Sequence, residues 1–177
     1  MSTRIADIRD PNLFQRLVRT LFAASQGHSF QVVDDSSGDR GNDGYDSEAG
    51  ILLAIYCPEK GMKAQRALTK GRDDLKKAIK LLANPAYSFN KWYFMTPEPL
   101  PERTQAALRT EALSAGLSAT FISAENLEPL FLAHPHLHDL FPELTYPRVQ
   151  AALDEVSAKL GRLEEQLRPD SQPSARL

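Results

Sequence analysis

The chain has 177 residues, 42% hydrophobic and 25% charged, with a formal net charge of -2. That is an ordinary globular composition; its near-neutral balance selects no partner by bulk charge, and the single cysteine, Cys57, rules out an intrachain disulfide. No apolar stretch approaches the roughly 18 residues of a membrane span, and residues 1–10 lack the apolar run of a signal peptide, so a soluble cytoplasmic protein is expected.

Asp10 followed by Pro11 has the form of a helix N-cap with proline in the first turn. Leu13, Phe14, Leu17, Val18, Leu21 and Phe22 then recur at helical spacing, and Gly27 stops the helix. Phe30 and Val32 alternate with polar neighbours, as in a short strand. Residues 34–50 read as a loop rich in glycine and aspartate. Ile51 to Tyr56 is a continuous apolar run suited to a strand buried on both faces, and Pro58 ends it. A basic helix is expected next, with Leu68, Leu75, Ile79 and Leu82 on one side. Trp92 to Met95 reads as a buried strand, and Pro97, Pro99 and Pro101 make a stiff turn. A helix over 102–115 closed by Gly116, a strand over 117–122 and a short helix over 124–133 follow. Strands separated by helices predict an α/β fold with a mixed central sheet flanked by helices.

Charge is distributed unevenly. Asp34, Asp35, Asp39, Asp43, Asp46 and Glu48 stand against Arg40 alone, giving residues 34–50 a local charge of -5. Residues 60–80 carry Lys60, Lys63, Arg66, Lys70, Arg72, Lys76, Lys77 and Lys80 against Asp73 and Asp74, a local charge of +6. Such a run is usually a solvated helix face. Beside an acidic loop it is also a candidate phosphate-contacting surface, with Lys63, Arg66, Lys70 and Lys77 as the candidate DNA contacts.

The pattern changes after Pro142. Val149, Leu153, Val156, Leu160, Leu163 and Leu167 alternate spacings of four and three, an a/d heptad seam. The expected organisation is an α/β domain over 1–144, a coiled-coil-type helix over 145–167 and a disordered polar tail over 168–177. The seam is expected to hold a second copy or a partner protein, or to pack back on its own domain through Ala151, Ala152 and Ala158.

The most informative segment is GDRGNDGYDSEAGILLAIYCPE, residues 38–59. With Phe14-Gln15 in the first helix and Trp92-Tyr93-Phe94-Met95 in the next core strand, it resembles the PD-(D/E)XK (restriction-endonuclease-like) superfamily, especially its Mrr-type branch and related nuclease-like domains of bacterial anti-phage defence and restriction systems. The resemblance covers residues 10–144 and implies a restriction-endonuclease-like fold. It also implies Mg²⁺ held by hard carboxylate oxygens, with metal and lysine activating water and stabilising charge on the attacked phosphate. Asp43, between Gly41-Asn42 and Gly44, matches the family aspartate.

Other positions depart from the pattern. Ala54 stands where the strand Glu or Gln is expected, Tyr56 where the lysine is expected, and Gln15 where a helical Glu is expected. Tyr56-Cys57-Pro58-Glu59 looks like a Tyr-x-Pro-Glu variant of the motif. The superfamily lysine also migrates to a neighbouring helix, which makes Lys70, and less directly Lys63, its candidate here, while Asp39, Asp46 and Glu48 are candidate helpers to Asp43. An aspartate between glycines is equally ordinary turn chemistry.

The remaining motifs carry less. His134, His136 and His138 alternate across Pro135 and read as a surface loop before a zinc site. Cys57 reads as a small buried hydrophobe, and Tyr56 and Trp92 as core. Gly38-x-x-Gly41 lacks the Lys-Ser/Thr sequel of a phosphate-cradling loop. Three functions follow as expectations: a metal-dependent nuclease-like domain acting on DNA, with Asp43 and Lys70 catalytic and Asp43, Asp39 and Glu48 as metal ligands; a degenerate nuclease fold kept as an assembly module; and a nucleic-acid binder without catalysis.

Overall fold

The computed structural model describes residues 4–32, 43–144 and 156–162. The first helix, α1, spans Pro11–Gln26. Its N-terminus is closed as the sequence predicts: Asp10 Oδ1 accepts from the backbone N–H groups of Asn12 (2.9 Å) and Leu13 (3.4 Å). Gly27 stops it with a φ of 70°, a left-handed value natural to glycine. Strands β1 (Phe30–Gln31), β2 (Gly44–Asp46), β3 (Ile51–Ile55), β4 (Lys91–Met95) and β5 (Ser118–Ile122) form one five-stranded sheet in that order. The β1–β2 and β2–β3 pairs are antiparallel, and β3–β4 and β4–β5 are parallel. Helices α2 (Ala64–Leu81) and α3 (Glu102–Ser114) make the crossovers between the parallel strands, and α4 (Ala124–Leu132) follows β5. The protein is therefore an α/β domain with a mixed sheet covered by helices, as the alternation of elements predicts.

One expected element is corrected. Residues 34–50 read as a single loop, yet 44–46 are β2, paired Gly44 to Leu53, Tyr45 to Leu52 and Asp46 to Ile51. Residues 33–42 lie outside the described residues. Gly44-Tyr45-Asp46 has no strand pattern of its own; it becomes a strand because the 47–50 turn lays it along β3. Asp46 is buried in that turn, its Oδ1 accepting from the N–H groups of Glu48 (3.1 Å) and Ala49 (2.9 Å).

The apolar run of β3 is read out on both faces. Ile51 and Leu53 join α1 residues Phe14, Leu17, Val18 and Leu21 and α4 residues Leu127 and Phe131 in one core cluster. Leu52 and Ala54 join Ala67, Leu75 and Ala78 of α2, Leu108 and Ala112 of α3, and Trp92 and Phe94 of β4 in the other. Two crossovers advancing the same way across a sheet place their helices on the same face when both are right-handed, and α2 and α3 share one cluster. Arg72 ties these helices together, its Nε donating to Glu111 Oε1 at 2.8 Å.

Gly44 is required where β1 and β2 meet. A Cβ there would fall 2.5 Å from Phe30 Cζ and 2.7 Å from its Cε2, in steric overlap with the ring of a buried residue. Gly44→Ala is expected to displace Phe30 and destabilise the domain by about 1–3 kcal/mol, read as a lower urea midpoint at unchanged m-value.

Residues 156–162 are helical, and Val156 and Leu160 are 53% and 56% exposed. The remaining seam residues, Val149, Leu153, Leu163 and Leu167, and the 168–177 tail lie outside the described residues. Among the described residues, no helix is long and apolar enough to cross a membrane.

Candidate active site

The chain places Asp43 immediately before β2, alongside the C-terminal end of β3. Its backbone N–H donates to the Leu53 carbonyl (2.9 Å), and its Oδ2 accepts from the Ile55 N–H (2.6 Å). The carboxylate thus sits where the parallel strands end, the position at which open α/β sheets place their ligands.

Helix α1 approaches from one side. Gln15 and Arg19, four residues apart, face the same way. Gln15 Nε2 donates to Asp43 Oδ1. Arg19 Nε donates to the Asp43 carbonyl at 2.8 Å, and its guanidinium lies 3.5 Å from Oδ1. Helix α2 approaches from the other side. Lys70 Nζ pairs with Asp74 Oδ1 at 2.6 Å, again four residues apart, and Asp74 is only 1% exposed. The cluster is therefore assembled from α1, the start of β2, the end of β3 and α2.

Burial dominates its electrostatics. Desolvation pushes the Asp43 carboxyl above its ordinary value, against the opposing pull of the Ile55 N–H, Gln15, Arg19 and Lys70. Burial likewise pushes Asp74 up to about 6, with Lys70 opposing and the Asp43 charge adding. The charges of Asp43, Lys70 and Asp74 thus bear on one another. Two buried carboxyls with raised pKa values, each acting on the other, mark a candidate site on physical grounds.

The other expected residues fall as follows. Asp39 lies outside the described residues. Glu48 sits in the turn joining β2 to β3, at the end of that ladder opposite Asp43, because the hairpin reverses the chain between them. Ala54 is fully buried in the core under α2 and α3. Tyr56 is partly buried and stacks on the core residue Phe94 with ring centroids 6.3 Å apart. Cys57 is buried beside the Ile8 carbonyl (3.6 Å), and burial raises its thiol to about 11, leaving it in the thiol form at neutral pH. Neither Arg19 nor Asp74 belongs to a motif in the sequence. For Asp74 a signal existed: Lys70 and Asp74 have the i,i+4 spacing of a helical pair.

Lys63, Arg66, Lys70 and Lys77 are separated by three, four and seven residues, so they share one face of α2, with Lys63 at its N-cap. Lys63 and Arg66 are exposed, Lys70 and Lys77 partly buried. This face also carries the Lys70–Asp74 pair.

The histidine run forms a 3₁₀ turn, Pro135–Leu140. His134 Nδ1 lies 2.8 Å from the Leu130 carbonyl, and His138 stacks on Phe131 at 4.6 Å with Nε2 3.2 Å from the Phe131 carbonyl. These rings are committed to α4. Among the described residues, no group of three or more His, Cys, Asp or Glu side chains is arranged to hold a metal. Mg²⁺ does not need such a cage, since it usually binds through one or two carboxylates and completes its shell with water and substrate phosphate. The donor chemistry at Asp43 fits that mode, because an ionised carboxylate offers two oxygens with about four lone-pair sites. Comparison with protein-family models, curated proteins and solved structures finds no match for this chain.

Proposed function

We propose that this chain is a nuclease-like domain of the restriction-endonuclease-like kind, serving a bacterial defence or restriction-type system by binding and cleaving DNA with a divalent metal. The observation that carries the reading is the convergence of Gln15 and Arg19 of α1 and the Ile55 N–H of β3 on the Asp43 carboxylate, which stands just before β2 at the C-terminal end of β3. Asp43 stands before a strand whose neighbour is the buried β3, the arrangement that the resemblance implies for the metal-binding aspartate.

In this reading Asp43 is the protein's ligand to Mg²⁺, and Gln15 and the Ile55 N–H fix the direction of its carboxylate. The metal supplies Lewis-acid polarisation of the phosphate and a more acidic water. Lys70 places a positive charge where the attacked phosphate gains negative charge. Lys63, Arg66 and Lys77 neutralise backbone phosphates without reading sequence.

The test is cleavage of supercoiled plasmid with Mg²⁺ and with chelator. Lys70→Ala is expected to lower the rate by about 10²–10³. Metal-independent cleavage, or full activity in Lys70→Ala, contradicts the assignment. For binding, replacing Lys63, Arg66 and Lys77 with Gln is expected to flatten the log–log salt dependence by about 0.9 for each lost phosphate contact. An unchanged slope removes the α2 face from the interface.

A second reading has its own observation. Ala54 is buried in the core and Tyr56 is partly buried against it where the motif expects a carboxylate and a lysine, and Val156 and Leu160 project from a helical segment. Here the fold is a degenerate nuclease acting as an assembly module, held to a second copy or a partner by the heptad seam. A salt-insensitive dimer in sedimentation equilibrium, together with absent DNA binding, selects this reading over the first.

A further inference from the structure

Asp43 is held by a cation of the protein's own. Arg19 of α1 reaches it twice: its Nε donates to the Asp43 carbonyl at 2.8 Å, and its guanidinium lies 3.5 Å from Oδ1. The two side chains are 19% and 16% exposed, so salt screens this pair less than it screens a surface pair. A guanidinium also stays charged throughout the working pH range. The bond to the carbonyl ties that charge down beside the carboxylate, while Gln15 Nε2 and the Ile55 N–H donate to Oδ1 and Oδ2 respectively. A divalent ion bound through Asp43 therefore shares the carboxylate with a fixed positive charge, and like charges at such range repel strongly where water is scarce.

We infer that Arg19 is the resident counter-cation of Asp43: a positioning residue that holds the carboxylate in the metal-free protein and competes with the divalent metal for it. The inference rests on the nuclease-like reading and adds to it a residue that the motif does not mark. The charge of Arg19, and not only the number of carboxylates, then sets how tightly the free protein holds its ion.

The experiment is a Mn²⁺ titration of the full 177-residue chain, followed by the loss of the free-ion electron paramagnetic resonance signal. Wild type is expected to bind one ion. Arg19→Gln keeps an amide N–H and removes the charge, and it is expected to bind Mn²⁺ about tenfold more tightly or better. Arg19→Lys keeps the charge and is expected to bind as wild type does. A far-ultraviolet spectrum and a thermal melt establish that the variants are folded; should Arg19→Gln not fold, Arg19→Met, which keeps an aliphatic stem without the charge, takes its place. If the uncharged variant binds no more tightly than wild type, or Arg19→Lys gains as much as it does, the inference fails and the metal reading stands on Asp43 alone. If neither wild type nor the uncharged variant binds Mn²⁺ at millimolar concentration, the reading and the inference fall together.

Discussion

Asp43→Ala is expected to destabilise the domain by about 3 kcal/mol, the largest effect of any single change at the site. Two influences oppose each other. Burial makes the ionised Asp43 carboxylate costly in itself, as its raised pKa records. Deleting it, however, removes the acceptor for the Ile55 N–H and for Gln15, together with an anion 3.5 Å from the Arg19 guanidinium, whose side chain is only 19% exposed. Removing one member of a buried charge pair is worse than never having had the pair. Urea denaturation of wild type and Asp43→Ala at pH 7 measures the difference. A change under about 0.5 kcal/mol, the ordinary range of a surface substitution, contradicts the described network.

Asp74→Asn is expected to act in the opposite direction. The folded carboxyl titrates near 6, above its ordinary 3.8. Between those values the native chain holds a proton that the unfolded chain has released, so stability falls as pH rises through the window and levels off above about 6. A shift of this size corresponds to roughly 3 kcal/mol. Asparagine removes the charge but keeps a polar group for Lys70, so a gain of about 2 kcal/mol is expected at pH 8, or roughly 4–8 °C in Tm. The gain shrinks as pH falls through 6 toward 4. Thermal melts of both proteins from pH 4 to pH 8 check the sign, and a variant less stable than wild type at pH 8 contradicts it. An acid that lowers stability at neutral pH, inside a cluster of perturbed groups, is the kind of local conflict that function explains.

The scaffold was legible because its elements carry strong patterns. The apolar stripe of α1, the two-faced run of β3 and the strand at 91–95 each specify one element and its buried side. β2 was not legible, because three residues beginning with glycine take their strand geometry from pairing with β3. The site divides on the same line. Asp43 stood out through its flanking glycines and motif, and Lys70 through the basic run. Glu48 is close to Asp43 in sequence, but the hairpin turn places it at the other end of the ladder, a separation that sequence distance does not show. Asp74 counted only as one of two acids in a basic helix; its importance comes from burial, which the 3.6-residue period of α2 sets and charge tallies miss. Arg19 was hidden similarly, as a polar residue in an otherwise apolar helix that turned out to face the carboxylate.

The most direct test of the central claim is a calorimetric titration of the full chain with Mg²⁺, on wild type and on Asp43→Asn, which removes the charge while preserving the side-chain shape. The account predicts a single binding event in wild type that is lost in the variant, with both proteins folded. Absence of binding at millimolar Mg²⁺ in wild type, or equal binding in both proteins, would contradict a metal site at Asp43 and leave the fold as an assembly module.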